Sequence, residues 1–390
     1  MSTTRAPRAT SFLAPPALVL AAALIGAAPV AGQELPGDFE LGGGVYLFHH
    51  QPLGVEGAEA NSEIYAFHLD LDRTEGPWRI HVQARWRDTK LRPFFSSTTW
   101  LQEAWGSYRA PLGEASSLTL RAGKIYQRLG RFWDGSFFGN LHYFDGLKLD
   151  PDFGVEASLR ARPGDGGAQV ELYAQGFVDS DRVNGALEGR DLEGEEELRE
   201  KTVGAGARAD APLGRPGGRE LRLGGGVSAL IERVVATPGA DTPGAAATLE
   251  HAAIDLEASW GPALAYLEWT RRASGGPAVL EELAASADAP VRGPAGSRAS
   301  WWLAGVRVEA GPLELRYNVS TARYADGGFR EWIHQPGLTL AMSDGVSLLV
   351  EYDDWRRDPS GPASFPAPPG GPARRARLDR SFAAVLHLTF

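Results

Sequence analysis

Residues 382–390 read FAAVLHLTF, and the alternation in this stretch decides the fold. Phe382, Ala384, Leu386, Leu388 and Phe390 fall on one face of an extended chain, while Ala383, Val385, His387 and Thr389 fall on the other, because successive side chains of a strand point to opposite sides. An apolar strand at this position needs partners along its edges and a sheet to close. The same period recurs at residues 78–87, where Trp78, Ile80, Val82, Ala84 and Trp86 alternate with Arg79, His81, Gln83, Arg85 and Arg87. Eight residues at about 3.4 Å each, tilted by about 40°, separate Trp78 from Trp86 by roughly 20 Å, close to the height of an apolar band between two aromatic girdles. Trp260, Trp269 and Trp302 hold the apolar phase of their own segments near the ends.

The amino-terminal stretch agrees with an envelope destination. Arg5 and Arg8 precede an apolar run from Ala17 to Ala28, followed by the small residues to Gly32, the layout of a signal peptide over residues 1–32. The run is too short for a spanning helix, which needs about 20 apolar residues. No second long apolar run follows, so a membrane protein built from residues 33–390 is a barrel, not a helical bundle. Removing Arg5 and Arg8 leaves 37 basic residues (39 minus 2) against 49 acidic ones, a formal charge of −12, which disfavours nucleic acid as a partner. The chain has no cysteine, which excludes disulfides and thiolate metal sites.

Alternation between turn signals gives sixteen strands, near 38–50, 60–72, 77–88, 97–110, 116–127, 142–162, 168–178, 200–211, 219–233, 248–260, 262–274, 298–310, 312–324, 329–343, 345–357 and 376–390. The even count suits an antiparallel up-and-down transmembrane β-barrel. Short turns such as Gly261-Pro262, Gly311-Pro312 and Asp344-Gly345 alternate with long polar loops at 179–199, 275–297 and 358–375, as expected for periplasmic turns and extracellular loops. In 312–324, Leu313, Leu315, Tyr317 and Val319 point one way and Glu314, Arg316, Asn318 and Ser320 the other. The second row is too polar for a packed core and suits an aqueous lumen, which about sixteen strands leave open.

The expected pore-lining residues divide by charge. Arg79, Arg85, Arg87, Arg109 and Arg121 come early, with Lys124 turned inward by a phase break at Gly123; Asp255, Glu257, Glu268, Glu309, Glu314, Glu351 and Asp353 come late. Two outcomes stay open, a transverse field that orients solutes or ordinary pairing with Arg208, Arg222, Arg272, Arg307 and Arg316. The segment 127–141, QRLGRFWDGSFFGNL, is expected to fold inward as a constriction loop, Phe132, Trp133, Phe137 and Phe138 packing on the wall and Arg128, Arg131 and Asp134 lining the narrowest point. The other reading is an external loop with an aromatic rim. Residues 179–200 hold nine carboxylates and three arginines, a solvated run or a place for divalent cations bridging lipopolysaccharide.

The stretch LQEAWGSYRAPLGEASSLTLRAGKIYQRLGRF, from Leu101 to Phe132, with YFDGLKLDP from Tyr143, resembles the strand, turn, strand and constriction-loop arrangement of the Gram-negative outer-membrane porins, including their phosphate-selective branch. That resemblance implies passage of small hydrophilic solutes, homotrimeric assembly, and a setting of outer-membrane lipid and lipopolysaccharide. The terminal strand resembles the signal read by the barrel-assembly machinery, ending on Phe390. Phosphate selectivity is not carried over, since that branch uses lysine-rich lumen loops and the lysines here are Lys90, Lys124, Lys148 and Lys201 alone. No cofactor or metal is expected.

Two other classes compete. An outer-membrane barrel enzyme of phospholipase or protease type needs a nucleophile beside a base. His49 and His334 fall in the outward phase, and no serine is expected in the matching phase of the strands beside them; His68, His81 and His387 fall inward. A surface anchor or adhesin needs loops large enough to form a domain, and these reach only about twenty residues.

Overall fold

A computed structural model describes residues 33–35, 39–53, 60–86, 99–131, 136, 141, 151–164, 166–180, 197–236, 246–274, 298–324, 330–357 and 377–390. The strands are β1 (Gln33–Leu35), β2 (Phe39–Pro52), β3 (Asn61–Glu75), β4 (Trp78–Trp86), β5 (Thr99–Pro111), β6 (Ser116–Ile125), β7 (Asp152–Ala161), β8 (Gln169–Ser180) and β9 (Glu197–Gly214) in the first half. The second half adds β10 (Leu221–Ala236), β11 (Ala246–Trp260), β12 (Ala263–Ser274), β13 (Arg298–Ala310), β14 (Leu313–Tyr324), β15 (Arg330–Ser343), β16 (Val346–Arg357) and β17 (Arg377–Thr389). Each of β2 to β17 pairs antiparallel with the next, and β17 returns to β2 from Ser381 opposite Pro52 to Thr389 opposite Gly44. The result is a closed ring of sixteen strands with short turns at one end and the long loops at the other. Closure is what a bilayer demands, because an open edge would leave backbone donors and acceptors facing hydrocarbon.

All sixteen strands expected from alternation are present. The strand expected at 142–162 is described from Asp152, directly after Pro151, where proline has no N–H for the ladder; its earlier part, 142–150, lies outside the described residues. At the periplasmic end β1 pairs with β2 from Gln33 opposite Leu41 to Leu35 opposite Phe39, on the stretch past the end of β17. Phe390 and Gly43 exchange two backbone hydrogen bonds of 3.1 Å.

The two faces of the wall differ as the alternation requires. Trp78, Ile80, Leu120, Val155, Val203, Ile231 and Leu256 are exposed on the outside. On β14, Leu315 and Tyr317 are exposed whereas Arg316, Asn318 and Ser320 are buried inside. Trp269 and Trp302 lie side by side on the outer face, ring centroids 6.4 Å apart, where a membrane interface favours aromatic rings.

The β2–β17 contact is tight at Gly44. A Cβ there would stand 2.7 Å from the Leu388 backbone oxygen and from His68 Nε2, and backbone cannot yield to it. Gly44→Val is expected to destabilise the folded barrel by about 1–3 kcal/mol, read as a lower temperature for loss of the fast-migrating folded band in a heat-modifiability gel; an unchanged temperature would count against this packing.

Candidate functional site

The inner wall carries two platforms, each built from a glycine and a tyrosine. Tyr173 on β8 is opposite Gly206 on β9, and Tyr266 on β12 is opposite Gly305 on β13. A Cβ on Gly206 or Gly305 would come within 2.4 Å or 2.3 Å of the ring, so only glycine lets these tyrosines lie across the neighbouring strand. The Tyr266 hydroxyl donates to Asn318 Oδ1 on β14.

The segment after β6 is mounted on these rings. The Arg128 guanidinium stands 3.8 Å from the Tyr173 centroid and that of Arg131 4.2 Å from Tyr266, a favourable placement of a cation over a ring face. Arg128 also donates twice to Glu171, at 3.1 and 2.9 Å, and its backbone exchanges two hydrogen bonds with the Gln175 side chain. Farther along, Gly130 N donates to Ser228 Oγ at 2.8 Å, Arg131 N to Glu268 Oε2 at 2.6 Å, and the Arg131 guanidinium to Glu257 at 2.5 Å. Gly130 has φ of 58°, and a Cβ on it would sit 2.7 Å from the Glu268 carboxyl carbon; both the turn and the close approach require glycine. Leu141 N donates to Ser320 Oγ on β14. The described parts of 127–141 therefore run along the inner face from β7 to β14.

Packing supports the same course. Leu129 and Leu141 join a buried cluster with Leu230, Ala253, Ala299, Trp301, Ala322, Ile333 and Trp355, drawn from β10, β11 and β13 to β16. The wall residues of this cluster occupy inward positions that are elsewhere polar. In the sequence this interruption of the inward polar rows is the signal that a segment packs against these strands, a signal that the aromatics of 127–141 by themselves do not give. Phe132, Trp133, Asp134, Phe137 and Phe138 lie outside the described residues.

The inward charges sort unevenly. On the late strands Asp255 pairs with Arg208 at 2.8 Å, Glu257 with Arg131, and Glu351 with Arg316 at 2.7 Å. Glu314 lies 3.7 Å from Arg307 and 3.8 Å from Arg316, and Glu309 lies 3.9 Å from Arg307 near the periplasmic rim. Pairing, the ordinary outcome, holds for these acids. On the early strands Arg79 pairs with Asp72 at 2.9 Å, whereas Arg85, Arg109 and Arg121 make no ion pair among the described residues. Arg85 donates to Gln83 and Arg121 stacks 4.5 Å over Trp105. Arg87 lies outside the described residues.

Two expectations need correction. Lys124 pairs in register with Ala104 and with Phe153, which is exposed on the outer face, and its Nζ donates to the Leu101 carbonyl. Gly123 takes φ of 130° without adding a residue to the ladder, so the alternation continues and Lys124 falls outward, not into the lumen. The outward His49 does have a serine beside it, Ser62 on β3, with 2.7 Å between Nδ1 and Oγ. Cross-strand register thirteen residues away placed it there. The other outward histidine, His334, bonds the Tyr317 hydroxyl at 2.8 Å, so both pairs meet the same need of a polar ring in lipid. Among the described residues no group of three or more His, Asp or Glu is arranged to hold a metal.

Solved structures share this architecture. The outer membrane channel DcaP of Acinetobacter baumannii superposes with a TM-score of 0.54 at 11% identity, over 93% of this chain and 100% of its own. OmpF of Salmonella typhi in complex with daunomycin gives 0.54 at 10%, over 90% and 97%, and an anion-selective porin from Comamonas acidovorans gives 0.52 at 10%, over 90% and 99%. No protein-family model and no curated protein matches the chain. The fold is that of Gram-negative outer-membrane porins, a closed antiparallel β-barrel of sixteen strands.

Gly305→Ala is expected to push Tyr266 off its platform and loosen the segment at Arg131, so that trypsin cleaves the folded barrel after Arg131 several times faster than wild type. An unchanged cleavage rate would mean that the ring does not hold the segment.

Proposed function

We propose that the chain is a porin, a water-filled channel for passive diffusion of ions and small hydrophilic solutes across the outer membrane, formed after loss of residues 1–32. The observation that carries this reading is the two-faced closed wall, apolar outside and lined inside by ionisable side chains. The segment 127–141 acts as its constriction, held to the inner wall at Arg128, Gly130, Arg131 and Leu141. Homotrimeric assembly and recognition of Phe390 by the assembly machinery belong to the same reading and rest on the family resemblance.

Selectivity follows from the uneven pairing. Of the acids on β11 to β16 named as pore-lining, Asp255, Glu257, Glu309, Glu314 and Glu351 have arginine partners, whereas Arg85, Arg109 and Arg121 form a strip on β4 to β6, about eight strands round the ring and so on the opposite wall, with no ion pair among the described residues. A cationic strip facing water attracts the anionic groups of passing solutes. An enzyme reading has the His49–Ser62 pair, but among the described residues no third group holds the imidazole in place for base catalysis, and strand N–H groups used in the ladder are not free to stabilise an oxyanion.

Purified barrel in a planar bilayer is expected to show stepwise single-channel currents, and Arg85→Ala with Arg109→Ala and Arg121→Ala to move the reversal potential in a salt gradient toward cations. Absence of any conductance would defeat the channel; unchanged reversal potentials would defeat the strip while leaving the channel standing. Arg131→Ala is expected to raise single-channel conductance by roughly up to twofold if the segment narrows the pore.

A further inference from the structure

Beyond the channel, the outer face carries a row of side chains suited to a different ligand. On adjacent strands β12 to β15, Arg271 is opposite Ser300, Ser300 is opposite Arg323, and Arg323 is opposite Arg330. All four share the outward phase with the exposed Leu267, Trp302, Leu315 and Tyr317, and the three arginines are themselves exposed. Neighbouring strands lie about 4.8 Å apart, so Arg323 and Arg330 are forced into direct cross-strand proximity, where like charges repel. None of the three arginines makes an ion pair among the described residues. Among the described residues of the same face, Glu250 is on β11 opposite Ala273, one step farther toward the loops, and Asp354 is held by Arg356. Three exposed guanidinium groups in line with one hydroxyl, none of them ion-paired among the described residues, call for an anion.

The row directly beneath says which anion. Trp269 is opposite Trp302, Trp302 opposite Thr321, and Thr321 opposite Trp332, two residues closer to the middle of the wall on the same four strands. Below it lie Leu267, Ala304, Val319 and His334, then Ala265, Val306 and Tyr317. Tryptophan marks the boundary between hydrocarbon and headgroups, so the arginine row stands at headgroup height over an apolar column that acyl chains can follow. The end with the long loops faces outward from the cell, where the leaflet lipid carries phosphates on a sugar. We infer that Arg271, Ser300, Arg323 and Arg330 form a binding site for the phosphate of an outer-leaflet glycolipid, the guanidinium groups gripping it through paired, charge-assisted hydrogen bonds while its acyl chains lie on the wall below.

Native mass spectrometry of the folded full-length barrel in detergent tests the site, with bis-phosphorylated lipid A, its dephosphorylated form and inorganic phosphate as probes. Bis-phosphorylated lipid A is expected to bind about tenfold tighter than the dephosphorylated form, and the combined Arg271→Gln, Arg323→Gln, Arg330→Gln variant to lose about that factor. Equimolar inorganic phosphate is expected to leave the lipid bound. Equal affinity of the variant and wild type, or of the two lipids, would overturn the site; full displacement by inorganic phosphate would overturn the lipid as its occupant. Should the combined variant not fold, Arg323→Gln alone is expected to weaken binding about threefold, and an unchanged affinity would overturn the site equally.

Discussion

A polypeptide in hydrocarbon has no water to satisfy its backbone, and every other feature of this molecule depends on how that demand is met. Here it is met by closing the sheet on itself, β17 on β2, along nine register pairs from Ser381–Pro52 to Thr389–Gly44. Once the ring is closed, side chains sort by alternation alone. The outside then becomes a solvent-facing surface for lipid and the inside one for water. Polar residues that fall outward must find partners on the wall, as His49 does with Ser62 and His334 with Tyr317.

The interior is less open than a bare ring. Buried Arg316 and Glu351 pair at 2.7 Å, an arrangement whose Coulomb gain is largely offset by desolvation and which mainly fixes position. Much of the inner wall between β8 and β16 is occupied in this way, by acids tied to arginines and by an apolar cluster under Leu129 and Leu141. On β4 to β6, by contrast, Arg85, Arg109 and Arg121 make no ion pair among the described residues.

Alternation made the sixteen strands and their faces legible, since a period of two needs no knowledge of neighbours. It failed where the outcome turns on what lies across the ladder. Lys124 faces outward because Gly123 adds no residue to the ladder, whereas a glycine in a strand suggests a break in phase when only the sequence is known. Ser62 escaped notice beside His49 because the two meet only through register, and the row of Arg271, Ser300, Arg323 and Arg330 is invisible for the same reason: its members span sixty residues of sequence and one line of the wall. The platforms were hidden too. Gly206 and Gly305 look like ordinary strand glycines until Tyr173 and Tyr266 are seen lying on them.

Those platforms bear on the habitats such a protein could serve. Dissolved electrolyte weakens an ion pair far more than it weakens contact between a guanidinium and a ring face or between buried leucines. Because the inner segment is fastened by Tyr173, Tyr266, Leu129 and Leu141 as well as by carboxylates, its seating on the wall is less sensitive to salinity than ion pairs alone would make it.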